Sequence, residues 1–130
     1  MYDPAMTEIA SHPSIYVIDD DEVVRDSLKA LLEVRGYGVR DFESGDHFLT
    51  ENPDMADCCI ILDVHMPGMT GTEVLRQIRA RRPAVPAILI TGRRDGQIQA
   101  QAEALGATLL DKPLSHGQLF GAIEQALTAH

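Results

Sequence analysis

Basic residues are scarce in this chain. Lys and Arg number 11 against 20 Asp and Glu, which leaves a net charge of −9 and a pI of about 4.8. That deficit argues against direct nucleic-acid binding, because phosphate backbones are held by a surplus of Lys and Arg. Cysteine is limited to one adjacent pair, Cys58 and Cys59 in CCIILD. Neighbours on a strand point to opposite faces, so the pair suits neither a disulfide nor a shared metal site and reads as two buried thiols. Unbridged thiols point to a reducing compartment, and the expected location is cytoplasmic. No apolar run reaches roughly 18 residues, so no membrane-spanning helix is expected. The opening MYDPAMTEIASHPS lacks the basic start and apolar core of a signal peptide. Internal repeats and low-complexity tracts are missing as well.

What is present is the make-up of one globular domain. The 130 residues are 45% hydrophobic and 24% charged, enough apolar side chain for a core without disulfides or a structural metal. Residues 1–13 read as a flexible N-terminal arm and residues 14–130 as the domain. From Ser14 onward, strand and helix patterns alternate five times. Strands are expected at 15–19 (IYVID), 38–42 (GVRDF), 58–63 (CCIILD), 86–91 (PAILIT) and 108–111 (TLLD). Helical spacing follows each strand. Val24, Leu28, Leu31 and Leu32 precede a stop at Gly36, and Phe48 and Leu49 lie behind a Ser44 cap. Val74, Leu75 and Ile78 follow a Thr70–Glu73 capping box and stop at Pro83. Ile98, Ala102 and Leu105 run from an Asp95 cap to Gly106, and Leu119, Ile123 and Leu127 follow Ser115 and Gln118.

Repeated βα units imply a parallel sheet with helices on both faces, joined by right-handed crossovers. The first, third and fourth strands are nearly all apolar, as strands buried on both faces must be. The charged second strand and the short fifth suit edges. The expected fold is α/β, a (βα)5 doubly wound, flavodoxin-like parallel sheet with strand order 2-1-3-4-5.

Ligands of such sheets bind outside the carboxyl ends of the strands, where the strand order reverses. Here that point lies between the first and third strands. The segment IYVIDDDE runs an apolar strand straight into four carboxylates. Asp21 serves as a helix N-cap, but one helix takes one cap, so the other acids need another reason. Asp19 and Asp20 end the first strand, Asp63 the third and Thr91 the fourth, and Lys112 follows the fifth. Crowded carboxylates are tolerable when a cation shares their site. Hard oxygen ligands suit Mg2+ (or Mn2+), and the lack of His and Cys ligand clusters disfavours zinc and copper. Such a Mg2+ site commonly also holds phosphate oxygens, which Lys112 meets as a point charge and Thr91 as a hydroxyl donor.

These segments resemble the receiver domain of two-component response regulators over nearly all of residues 14–129. IYVIDDDEVVRDSL is similar to the family's acidic-pair segment and CIILDVHMPGMTGTEVL to its phosphoacceptor strand and loop. AILITG is similar to its fourth strand and LDKPL to its Lys-Pro turn. PGMTG, ITG and FESG are nearest in wording to receivers of the nitrogen-fixation and LuxR-type transcriptional regulators. The resemblance implies that Asp63 is the phosphoacceptor, supplied by a sensor histidine kinase or phosphotransfer protein. It implies Mg2+ held by Asp20, Asp63 and the backbone carbonyl of His65, with Asp19 helping mainly through water. It implies phosphoryl-contacting and switch roles for Lys112 and Thr91 and a cis bond before Pro113. It places His65 and Arg93 beside the path of attacking water, where they tune phosphoryl lifetime. Output is expected through the face of the fourth helix, fifth strand and fifth helix, which can also pair two copies. That face is expected to include Ile98, Gln101, Leu105, Gln118 and an outward Phe120.

Two departures qualify the transfer. The family's Tyr or Phe three residues before the active-site Lys is Leu109 here, and the stretch from Gly106 to Lys112 is one residue short. Neither touches a ligand, so phosphorylation is expected to survive while the conformational response is muted or different. The alternative reading is a degenerate, phosphorylation-independent receiver acting as a protein-interaction module. A haloacid-dehalogenase-like phosphatase needs a second Asp two residues after the nucleophile, where His65 stands. A flavin carrier needs a Ser/Thr-rich phosphate loop after the first strand, which is missing. The expected function is therefore a signalling switch, not a metabolic enzyme, and no effector module is expected within these residues.

Overall fold

The computed structural model describes residues 14–128. The arm expected at residues 1–13 lies outside them. Strands and helices alternate in the order β1 (Ser14–Ile18), α1 (Glu22–Val34), β2 (Gly38–Phe42), α2 (Gly45–Glu51), β3 (Cys58–Asp63), α3 (Gly71–Arg81), β4 (Ala87–Thr91), α4 (Gly96–Ala104), β5 (Thr108–Asp111) and α5 (His116–Thr128). The five strands form one parallel sheet of order β2-β1-β3-β4-β5, as the apolar pattern implied. β1 stops at Ile18, which leaves Asp19 as the first residue past the strand. β4 begins at Ala87, after Pro86, which has no N–H for the ladder but whose carbonyl accepts from Ile60 N at 2.9 Å.

Local chemistry sets the helix ends. The side chains of Asp21, Ser44, Thr70 and Asp95 each accept first-turn N–H groups. Ser115 Oγ accepts from Gln118 N at 3.3 Å. Gly36 and Gly106 follow α1 and α4 with φ of 91° and 64°, a conformation glycine enters without a Cβ penalty.

Side chains alternate across the sheet. Ile15, Val17, Cys59, Ile61, Ile88 and Ile90 pack under α1 and α5. Tyr16, Ile18, Cys58, Ile60, Leu62 and Leu89 pack under α2, α3 and α4. Every residue of β3 is buried, whereas β5 is exposed at both ends, which matches a central and an edge strand. Cys58 and Cys59 stand on opposite faces as free, buried thiols. Burial pushes them up to about 11 and about 12, respectively.

Two residues expected on the outward output face turn inward instead. Phe120 is only 6% exposed and packs with Leu119 and Ile123 under the α1 side. The Arg35 guanidinium covers its ring at 3.8 Å from the centroid. Helical spacing puts Phe120 beside Leu119 on the sheet-facing stripe of α5, where its large apolar area is better buried. Ile98 is buried for the same reason and forms the inner stripe of α4 with Ala102. Gln101 and Leu105 are half-buried, and Gln118 is exposed.

Candidate functional site

The register of the sheet builds the site. Ile18 pairs with Leu62, so Asp19 and Asp63 follow side by side at the carboxyl edge. Thr91 pairs with Asp111, and Lys112 N donates to the Thr91 carbonyl at 2.8 Å, which brings Lys112 to the same edge. Asp19, Asp20 and Asp63 each offer a carboxylate oxygen, all within 4.8 Å of one another. Asp19 and Asp63 are buried and Asp20 is exposed. Asp21 is turned away to α1, where it accepts from Val23 N and Val24 N as the N-cap.

Each buried acid is held from several sides. Lys112 Nζ donates to Asp63 Oδ2 at 2.8 Å, and the His65 N–H donates to Asp63 Oδ1 at 3.0 Å. Asp19 Oδ1 accepts from Asp21 N at 2.8 Å. Burial pushes the Asp19 carboxyl up to about 6; the Asp21 N–H and Lys112 pull it down, while the charges of Asp63 and Asp20 add to the rise. Burial lowers the Lys112 ammonium, but its hydrogen bond to Asp63 and the three carboxylate charges outweigh that and raise its pKa. One ammonium thus faces three carboxyl groups. Crowded, oxygen-only and short of positive charge, this donor set fits a hard divalent cation.

Thr91 is fully buried at the end of β4. Its hydroxyl accepts from Arg93 N and donates to the Arg93 carbonyl, both at 3.0 Å, so it is turned toward its own loop. The side chains of His65 and Arg93 are exposed at the rim. The Lys112–Pro113 peptide bond is cis. Leu109, beside Leu89 in the sheet, is half-buried against the cluster under α2, α3 and α4.

The model of the response regulator receiver domain family matches residues 15–124, most of the chain. The chain belongs to that family. The transcriptional regulatory protein FixJ of Bradyrhizobium diazoefficiens is 40% identical over 114 residues, covering 87% of this chain and 56% of FixJ. The C4-dicarboxylate transport transcriptional regulatory protein DctR of Rhodobacter capsulatus is 36% identical over 121 residues, 90% of this chain and 61% of DctR. The chain therefore spans about half the length of the curated relatives it matches. The crystal structure of FixJ-N is similar with a TM-score of 0.82 at 32% identity, covering 91% of this chain and 95% of that one. A CheY-like receiver from Methanospirillum hungatei gives 0.84 at 27% identity, with the same coverage of 91% and 95%. The family is one of signalling proteins that work with histidine kinases and generally use Mg2+. It leaves no support for the phosphatase or flavin-carrier readings and does not favour the degenerate module. No helix among the described residues is long and apolar enough to cross a membrane.

Three residues of this receiver escaped the sequence reading. A Cβ on Gly71 would run into the Asp63 carbonyl oxygen, so α3 begins hard against β3. Arg25 reaches the backbone of Asp19 from α1. Arg94 donates from Nε to both oxygens of Asp111, from Nη1 to Gln99 Oε1 at 3.0 Å and from Nη2 to the Leu109 carbonyl at 2.9 Å. It ties the loop after β4 to the free edge of β5. An arginine in a helix or loop pattern reads as solvated charge until its partners are known, which is why no local signal revealed these two.

Proposed function

We propose that Asp63 accepts a phosphoryl group from a phosphohistidine of a sensor kinase or phosphotransfer protein. Mg2+ (or Mn2+) would be held by Asp20, Asp63 and the His65 backbone carbonyl, with Asp19 acting mainly through water. The observation that carries this reading is the 2.8 Å contact between Lys112 and Asp63 beside three carboxylates within 4.8 Å.

In the reaction, a carboxylate oxygen of Asp63 forms the new P–O bond as the P–N bond to the donor imidazole breaks. The electron pair leaves with that nitrogen. A divalent ion held there would supply neutralising charge for the phosphoryl oxygens. Lys112, already at Asp63, passes from Oδ2 to a phosphoryl oxygen as the charge develops there. Thr91 reaches the phosphoryl group only by giving up its bonds to Arg93, and that exchange moves the loop after β4. The modification raises the negative charge at Asp63 from that of one carboxylate to a total of about −1.5 to −2, adds acceptor oxygens and biases the α4–β5–α5 surface. Gln101, Leu105, Gln118 and the β5 edge form that surface, where two copies can pair. Leu109 stands where relatives carry a ring and packs inward, so the response is muted or differs from theirs. A pair of crystal structures with and without beryllofluoride tests this, and the full family rearrangement of α4 would refute it. His65 and Arg93 at the rim set the rate at which water clears the phosphoryl group. Alanine at either position is expected to change the dephosphorylation rate. Residues 14–130 act as the receiver domain, in the cytoplasm, as part of a bacterial transcriptional regulator.

Intact mass after incubation with Mg2+ and acetyl phosphate tests the reading. The expected result is gain of a single phosphoryl group, blocked by EDTA and lost in Asp63→Asn. A gain retained by Asp63→Asn would assign the phosphoryl group to another residue.

A further inference from the structure

Arg25 touches none of the reacting atoms, yet it holds the loop that carries two of the three carboxylates. Its side chain sits at the end of the first turn of α1 and is 13% exposed. Nη1 donates to the Asp19 backbone carbonyl at 2.8 Å, and Nε donates to Asp41 Oδ2 at 3.1 Å. Asp41 lies on β2, beside Val17 of β1. One planar group therefore joins the loop after β1 to the neighbouring strand.

We infer that Arg25 is a positioning residue for the metal site, fixing the Asp19 backbone so that the acidic pair converges with Asp63 on one cation. The inference rests on the proposed metal-dependent reading of that site. Three carboxyl groups held within 4.8 Å repel one another, and an unrestrained loop relaxes by turning Asp19 and Asp20 apart. Opposing this are three bonds to Asp19. Its N–H donates to the Phe42 carbonyl at 3.1 Å, its side chain accepts from Asp21 N, and its carbonyl accepts from Arg25. The carbonyl bond is charge-assisted by the guanidinium, and it comes from outside the loop. Because the guanidinium meets the carbonyl of Asp19, it acts on where the backbone lies.

The competing account is a plain staple between α1 and β2, which Lys29 would share through its 3.9 Å approach to Asp41 Oδ1. Lysine separates the two accounts. An ammonium at position 25 can keep the ion pair with Asp41, but it lacks the fork that spans both partners at once. The chain has no Trp, so calorimetric titration of the full chain with MgCl2 is the direct readout. Thermal unfolding in EDTA is measured alongside it. Arg25→Lys is expected to weaken Mg2+ affinity at least about tenfold, the scale seen when a partner that orients metal ligands is removed. Its unfolding temperature in EDTA is expected to stay near that of the wild type. Asp41→Ala, which removes the acceptor that holds the guanidinium on the far side, is expected to weaken Mg2+ affinity in the same direction, and it decides alone if Arg25→Lys does not fold. Wild-type Mg2+ affinity in both variants, whatever their stability, would overturn the inference and leave the metal site standing. A wild-type chain that binds no Mg2+ would overturn the metal site itself and the inference with it.

Discussion

On β3 every residue is buried, and the Asp63 side chain at its end is 5% exposed. On β5 the end residues are exposed, and the contact tying that strand to the loop after β4 joins an Arg94 that is 35% exposed to an Asp111 that is 58% exposed. Both regions border the same site, but they are held differently. The acids of β1 and β3 are fixed by sheet register, backbone N–H groups, Lys112 and Arg25, so moving them means unpacking the core. The loop after β4 is held by the buried Thr91 hydroxyl and by exposed Arg94, through single hydrogen bonds each worth about 1 kcal/mol. Reaction geometry demands the first kind of construction and a switch demands the second.

The largest break in this contrast is expected from Gly71→Ala. The added Cβ meets the Asp63 carbonyl, a backbone atom that cannot yield as a flexible side chain would. A stability loss of about 3 kcal/mol is expected, at the upper end for overpacking, and is read from the urea midpoint. A wild-type midpoint would mean that α3 can slide away from β3 freely.

Next in size is the pH response of the metal-free chain. Burial raises the Asp19 carboxyl to about 6 in the folded state, against its ordinary value of 3.8 when unfolded. Between those values the folded state binds more protons, so the contribution of this group to stability falls as pH rises from about 4 to 6. Thermal unfolding in EDTA should show that fall in the wild type relative to Asp19→Asn, in which the group cannot titrate. With Mg2+ present the trend should oppose it, because the cation competes with the proton. Parallel curves for wild type and variant would show that Asp19 is not held protonated in the folded state.

A smaller effect is expected on the β5 side. Arg94→Ala should cost less than about 1 kcal/mol, as exposed pairs do. Amide exchange at β5 and in the first turn of α4 should nevertheless quicken, and unchanged exchange would remove Arg94 as a tether. The smallest effect should have the opposite sign to that of Gly71. A Cβ on Gly96, at the start of α4, meets nothing within 4 Å. Gly96→Ala is therefore expected to stabilise by roughly 0.4–1 kcal/mol through the unfolded state. Destabilisation there would show that α4 needs a glycine for reasons beyond local space.

Much of this receiver was determined within short reach along the chain. Alternation of apolar strands with capped, periodic helices specified five βα units, and apolar content alone separated central from edge strands. The caps at Asp21, Ser44, Thr70 and Asp95 act over two or three residues, so their identity survives without knowledge of the fold. Strand ends carrying Asp19, Asp20, Asp63 and Thr91 were legible for the same reason, since parallel strands bring their carboxyl ends to one edge. What the tertiary structure decided is which way each remaining side chain turned and what it met. Phe120 and Ile98 joined the core because their helices lay down on the sheet by those faces. Arg25 found Asp41 across 16 residues and Arg94 found Asp111 across 17. Long charged side chains have no local preference strong enough to name such partners. Only sheet register and burial select them, and those arise when distant segments pack together.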